Sequence, residues 1–357
     1  MIVAALFLAN LNYILYNSFE LNHIYKDGFR VLIVSILILS FVLNRRKLFL
    51  HYIDLAWLFF IMTSFLSFSI NDNIINFFFI LIVLIVSRDI SVDDFYKKSF
   101  YITLICSVVI LIFLQFGLTQ NIQYHQLGRV RNTFGFKNVN AFSNLVYSFS
   151  MLLILSLNVI RWRILLLISG FMYTMYTFTN TRTSILVFII FFVTFKTLDI
   201  IFKFEKNNKH KILIKMLIFI LVLLPLFLSL LSPIVLSVFP SLDAITSFRL
   251  SIFTKYINGN GLLHLIFGGS TLENVDNGIL ILIYSMGLVF SLFVIYMILS
   301  ALSKLVEMRD SKNIAFLISF MYFNAFESIL VRPEISVSIC FWFLIYKNIL
   351  KSKKELI

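Results

Sequence analysis

"GILILIYSMGLVFSLFVIYMILS", residues 278–300, contains no charged residue. Coiled as a helix it rises about 35 Å, enough to cross the roughly 30 Å hydrocarbon core of a bilayer. It is apolar on every face, so it belongs in lipid or among other helices that stand in lipid. Similar runs recur at 2–17, 29–43, 52–70, 74–87, 99–118, 140–158, 164–178, 185–201, 212–231, 313–330 and 335–349. Backbone crossing hydrocarbon must satisfy its own hydrogen bonds, so these runs predict an all-α polytopic membrane protein, a bundle of about twelve transmembrane helices.

The composition of the whole chain agrees. Of 357 residues, 60% are hydrophobic, 13% are charged and 42 are Phe, with a mean hydropathy of +0.97. A soluble domain is about 45–50% apolar and 25% charged, so that class is excluded. The net charge of +13 would otherwise suggest nucleic acid, but in a membrane protein Lys and Arg mark cytoplasmic loops, and no nucleic-acid partner is expected. Cys106 and Cys340 lie inside apolar runs, which argues against a disulfide framework and leaves them as packing residues. The opening "MIVAALFLANLNYILY" has neither a basic leader nor a small-residue cleavage site. It reads as a retained first span, and residues 1–357 as one integral membrane domain.

The distribution of basic residues tests the span count. "NRRK" (44–47), "RDISVDDFYKK" (88–98), "IRWR" (160–163), "KFEKNNKHK" (203–211), "KLVEMRDSK" (304–312) and "KSKKELI" (351–357) all fall on one side of a twelve-span layout. That side is the cytoplasm, and it holds both termini. The outer side receives "NDN" (71–73), 119–139, "TNTRTS" (179–184), a long extracytoplasmic loop at 232–277 and "RPE" (332–334).

Five arginines then stand outside, against the usual bias: Arg129, Arg131, Arg182, Arg249 and Arg332. A guanidinium presents a planar fork of donors to phosphate oxygens and keeps its charge when partly desolvated, so the set suggests a phosphate or diphosphate ligand. The same residues also suit snorkelling to lipid headgroups, or pairing with Glu327 and Glu334. In "GRVRNTFGFKNVNAF" (128–142), Arg129 and Arg131 are two apart and share one face of an extended segment, Gly135 permits a turn, and Asn138 or Asn140 can cap the next helix. In "TFTNTRTSILVF" (177–188), Thr181, Thr183 or Ser184 can cap a span beside Arg182.

Within the long loop, Leu242, Ile245, Phe248, Ile252 and Tyr256 recur at helical spacing and predict an amphipathic helix along the membrane. Arg249 falls within that stripe and so needs an anionic partner. Asp276 and Asn277 precede a span and read either as helix caps or as an acid that assists an acceptor hydroxyl or orients a sugar. His51 and His210 are cytoplasmic and His23, His125 and His264 outside; no pair has metal-ligand spacing, so neither metal nor cofactor is expected.

On "RVRNTFGFKNVNAF", "TNTRTS" and "FRLSIF…GG…VDNGILILIYSMG", the chain resembles the Wzy-type O-antigen and capsular polysaccharide polymerases of the O-antigen ligase/polymerase superfamily. The resemblance implies a GT-C-like, metal-independent glycosyltransferase in the cytoplasmic membrane of a bacterium. It implies that lipid-linked oligosaccharide repeats are joined at the outer face, with undecaprenyl-diphosphate-linked glycans as donor and acceptor. The bilayer, a chain-length regulator and a flippase are the expected partners. Carried over, the diphosphate ligands are Arg129 or Arg131, Arg182 and Arg249. The chemistry of such a transfer makes Arg249, Asp276 and, as second acid, Glu327 the catalytic candidates, and Asn140, Tyr256 and Asn277 are the expected glycan contacts. The ligase branch carries a histidine where this chain reads "VDNG", with His264 well upstream, which favours the polymerase. A flippase would place its arginines within the spans.

Overall fold

The computed structural model describes residues 2–19, 23–43, 51–65, 72–126, 129–204, 208–246, 248–270 and 275–354. The tetrapeptide 44–47, Asn71, residues 271–274 of the long loop and 355–357 of the basic tail lie outside the described residues, as do the side chains of His23, His210 and Ile245. The long helices are α1 (Ile2–Ser18), α2 (His23–Leu43), α3 (Tyr52–Phe65), α4 (Asp72–Val86), α5 (Val92–Gln115), α6 (Val139–Ser156), α7 (Trp162–Thr179), α8 (Arg182–Phe204) and α9 (Asn208–Leu230). Four short helices follow, α10 (Ser232–Val238), α11 (Ser241–Ile245), α12 (Arg249–Gly259) and α13 (Leu262–Phe267), and then α14 (Gly278–Glu307), α15 (Ser311–Asn324) and α16 (Ser336–Lys354). Each of the twelve apolar runs carries a long helix.

Among the described residues, five helical stretches are long and apolar enough to cross a membrane: 92–115, 139–156, 182–204, 211–230 and 278–307. The chain is a helical membrane protein. The only strands among the described residues form a hairpin of β1 (Gln123–Gln126) and β2 (Arg129–Asn132), antiparallel with Tyr124 opposite Arg131.

The chain forms two compact units. Residues 1–48, 82–192 and 333–343 make the first, and 49–81, 193–332 and 344–357 the second. Within the first, α6 is 78% buried while its neighbour α5 is 28% buried. Within the second, α14 is 72% buried and α9 28%. Each unit therefore encloses at least one helix, and the exposed Ile105, Val108, Leu111, Ile212, Leu213 and Ile220 of α5 and α9 are surfaces for lipid.

Helix starts follow local chemistry. Ser91 accepts from the Asp94 N–H (3.1 Å), Asn138 from Asn140 (2.8 Å) and Asp310 from Asn313 (3.1 Å), each satisfying a donor that the first turn leaves open. Pro225 lies inside α9 without ending it; Ser229 Oγ donates to its carbonyl at 2.8 Å.

Although nearly continuous, α14 is broken at Gly287, where φ is +86° and ψ 161°. The freed carbonyls of Ser285 and Tyr284 accept from the N–H groups of Gly269 (3.0 Å) and Ser270 (3.1 Å), so a short extended segment after α13 repairs the break. Only glycine allows this approach: a Cβ on Gly268 would sit 2.6 Å from Ser285 O, and one on Gly287 2.6 Å from Ile266 O.

Candidate functional site

The amphipathic helix expected across Leu242–Tyr256 is two helices. Phe248 takes a left-handed conformation (φ 63°), its N–H donates to Asp243 O (2.7 Å), and the Ser251 N–H donates to Asp243 Oδ1 (3.0 Å). The corner rotates the register. Leu250 and Phe253 are buried in α12, while Leu242, Phe248 and Ile252 of the expected stripe are exposed.

Arg249, the first residue of α12, is directed inward. Its Nη2 donates to Glu327 Oε1 at 3.0 Å and lies 4.0 Å from Asp276 Oδ2, with side chains 18%, 7% and 45% exposed for Arg249, Glu327 and Asp276. The anionic partner that its place in the loop demanded is thus a carboxylate pair in the second unit.

That pair is held by the start of α14. Asn277 accepts from the N–H groups of Ile279 (3.0 Å) and Leu280 (2.9 Å), and its Nδ2 donates to Ser229 Oγ (3.0 Å) and Ala325 O (2.9 Å). The Gly278 N–H donates to Glu327 O at 3.0 Å, and a Cβ there would meet Asn324 Oδ1 at 2.7 Å. These bonds tie Asp276 to the 325–335 connection between α15 and α16, which carries Glu327. Burial raises the Glu327 carboxyl to about 7; Arg249 opposes the rise, the Asp276 charge adds to it and Arg332 opposes it.

Two sequence assignments change here. Asn277, expected to contact glycan, is 0% exposed with its carboxamide spent on the fold, so it is the cap and anchor of α14. Asp276 is not a cap; it stands beside Arg249, half exposed. Tyr256 lies two turns along α12 from Arg249, with its ring edge on Tyr284 and its hydroxyl bonded to Ser270, which donates to Asn260 Oδ1 at 2.8 Å. Arg332 donates to Ser328 Oγ at 2.8 Å. His264 is exposed, with Nδ1 3.3 Å from Gly268 O. Among the described residues no three metal-ligating side chains converge.

In the first unit, β2 places Arg129 and Arg131 on one face, as their spacing predicts. Arg131 is a fastener. Its Nε donates to Thr179 O (3.3 Å) and its Nη2 to Asn140 Oδ1 (3.0 Å), while Asn132 donates to Phe178 O and Asn180 to Val130 O. Asn140, expected to contact glycan, therefore serves Arg131, and Asn138 is the cap of α6. Arg129 is half-buried and Arg182 exposed at the first position of α8. The hydroxyl of Thr181 bonds to Thr179 and Ser143, and that of Ser184 to Ser143, linking α6, α7 and α8.

Sequence reading missed Arg30, whose Nη2 meets Glu334 Oε1 at 3.2 Å with both side chains 11% exposed. Its position at the start of the second apolar run was the available signal. Against protein-family models, curated proteins and solved structures, the chain has no match.

Proposed function

We propose that the chain is a membrane glycosyltransferase of the polysaccharide-polymerase type, joining undecaprenyl-diphosphate-linked oligosaccharide repeats at the outer face of a bacterial cytoplasmic membrane. Twelve spans in a GT-C-like arrangement, with both termini in the cytoplasm, belong to this reading. The observation that carries it is Arg249 flanked by Asp276 and Glu327 at the start of α14, in the long loop assigned to the outer side.

Cleaving the bond between an anomeric carbon and a lipid diphosphate builds negative charge on the departing oxygen and oxocarbenium character on the sugar. A cation fixed beside that oxygen lowers the barrier. Arg249 takes this role; Arg129 and Arg182 belong to the first unit and are diphosphate candidates on the sequence alone. Asp276, the more exposed of the two acids, accepts the proton of the acceptor hydroxyl. Glu327 holds Arg249 in the resting state. Arg131 and Asn140 shape the outer end of the first unit and touch no substrate.

Deleting the gene in its host and complementing with wild type, Arg249→Ala, Asp276→Asn and Arg182→Ala tests the proposal on a gel of the surface glycan. Deletion should leave single lipid-linked repeats displayed outside. Arg249→Ala should restore no long chains at normal protein level. Repeats trapped on the cytoplasmic side would make the protein a flippase, and long chains persisting in the deletion strain would remove it from glycan assembly.

A further inference from the structure

The contact between Arg249 and Glu327 sets a condition on any anionic ligand. Arg249 Nη2 already donates to a carboxylate, at 3.0 Å. Resting on the reading of Arg249 as a diphosphate ligand, we infer that the site exchanges one anion for another. When a diphosphate engages Arg249, Glu327 releases the guanidinium and takes one proton from solvent onto its carboxylate.

The geometry prevents Glu327 from moving away instead. Its side chain is 7% exposed. Its own N–H donates to Phe323 O at 2.8 Å, and its carbonyl accepts from Gly278. The charged groups that face it are Arg249 from α12, Asp276 from the segment before α14 and Arg332 from its own connection. Arg332 is engaged by Ser328 and acts on Glu327 through its field. Once the donors of Arg249 turn to phosphate, the carboxylate is left in a low-dielectric pocket beside Asp276 and a new anion, and the neutral form wins. Burial already holds this group near neutrality, at about 7, so the proton is available under physiological conditions. The exposed side of the cluster belongs to Asp276 and Arg249, which leaves the ligand a way in while Glu327 stays behind.

Proton uptake has a direction. Above the resting value of Glu327, binding consumes up to one proton, so affinity falls as pH rises, by up to about tenfold per unit. The full-length protein in detergent is titrated calorimetrically with farnesyl diphosphate at pH 7 and pH 8, in buffers of different ionisation enthalpy. A phosphate ester has its own last ionisation near about pH 6, and comparison with Glu327→Gln cancels what remains of it. Wild type should take up close to one proton at pH 8 and about half of one at pH 7. Glu327→Gln should bind at least as tightly at pH 8, with no uptake beyond that of the ligand, while Asp276→Asn keeps the uptake.

Binding by wild type with no proton uptake overturns the inference, and so does the absence of binding. A folded Glu327→Gln protein that no longer binds overturns it as well, since the carboxylate would then be a ligand contact. The proton count on wild type needs no variant to fold. Because no acceptor glycan is present, failure of this test and failure of the complementation test remain distinguishable.

Discussion

At the scale of single residues, the second unit turns on an acid that is costly to ionise. Glu327 rises from an ordinary 4.5 to about 7 in the folded protein, so between these values the folded state binds more protons than the unfolded one. Stability is then fullest below about 4.5 and is lost as pH rises through about 7, by an amount on the order of 3 kcal/mol. Thermal unfolding in detergent from pH 4.5 to 8 should show this decline, and Glu327→Gln should flatten it; a wild-type midpoint that climbs over the range would refute the assignment. The caps Asn138 and Asn277 were legible because a cap depends on neighbours a few positions away, and each lies directly ahead of its helix. Which partner serves which residue was only half legible. Glu327 stood as one of two acids for five arginines before Arg249 was seen to take it, and Asn140 looks like Asn138 until Arg131 is seen to use it.

At the scale of elements, the apolar runs placed every long helix, since hydrophobic length reports directly on a helix in lipid. The interruption within α14 escaped because Gly287 interrupts a run that stays apolar on both sides, and its counterpart Gly268 is remote in sequence. The amphipathic helix of the long loop was misread for a related reason: a left-handed Phe248 has no compositional signature, yet it resets the face of every residue after it. Both glycines are expected to reject a methyl group. Gly268→Ala or Gly287→Ala places a Cβ within 2.7 Å of backbone atoms at a positive φ, and should cost about 3 kcal/mol or more, or prevent accumulation of folded protein. Gly170→Ala is the matched control, exposed on α7 with nothing within 4 Å of its new carbon, and should gain about 0.5–1 kcal/mol. Equal midpoints for all three in detergent would show that the backbone junction carries no stability.

At the scale of the whole molecule, the charge pattern predicts an orientation without any knowledge of packing. Single cysteines in a chain with Cys106 and Cys340 replaced provide the check. Exposed positions Gln120 and Gly261 should react with an impermeant maleimide on intact cells, and exposed Val159 and Met308 only after lysis; the reverse pattern would invert the layout and place Arg249 in the cytoplasm. The division into two units left no mark on the sequence, because each is assembled from three separated stretches. The break in α14 bears on how such a chain is made. A continuous helix can leave the translocation machinery alone, with every peptide group answered within itself. One opened at Gly287 cannot, since two of its carbonyls depend on Gly269 and Ser270. The 262–270 segment emerges from the ribosome first and must still be within reach when α14 enters the bilayer. Without that segment Gly287 has no reason to stay open, and α14 is expected to enter the membrane as an unbroken rod.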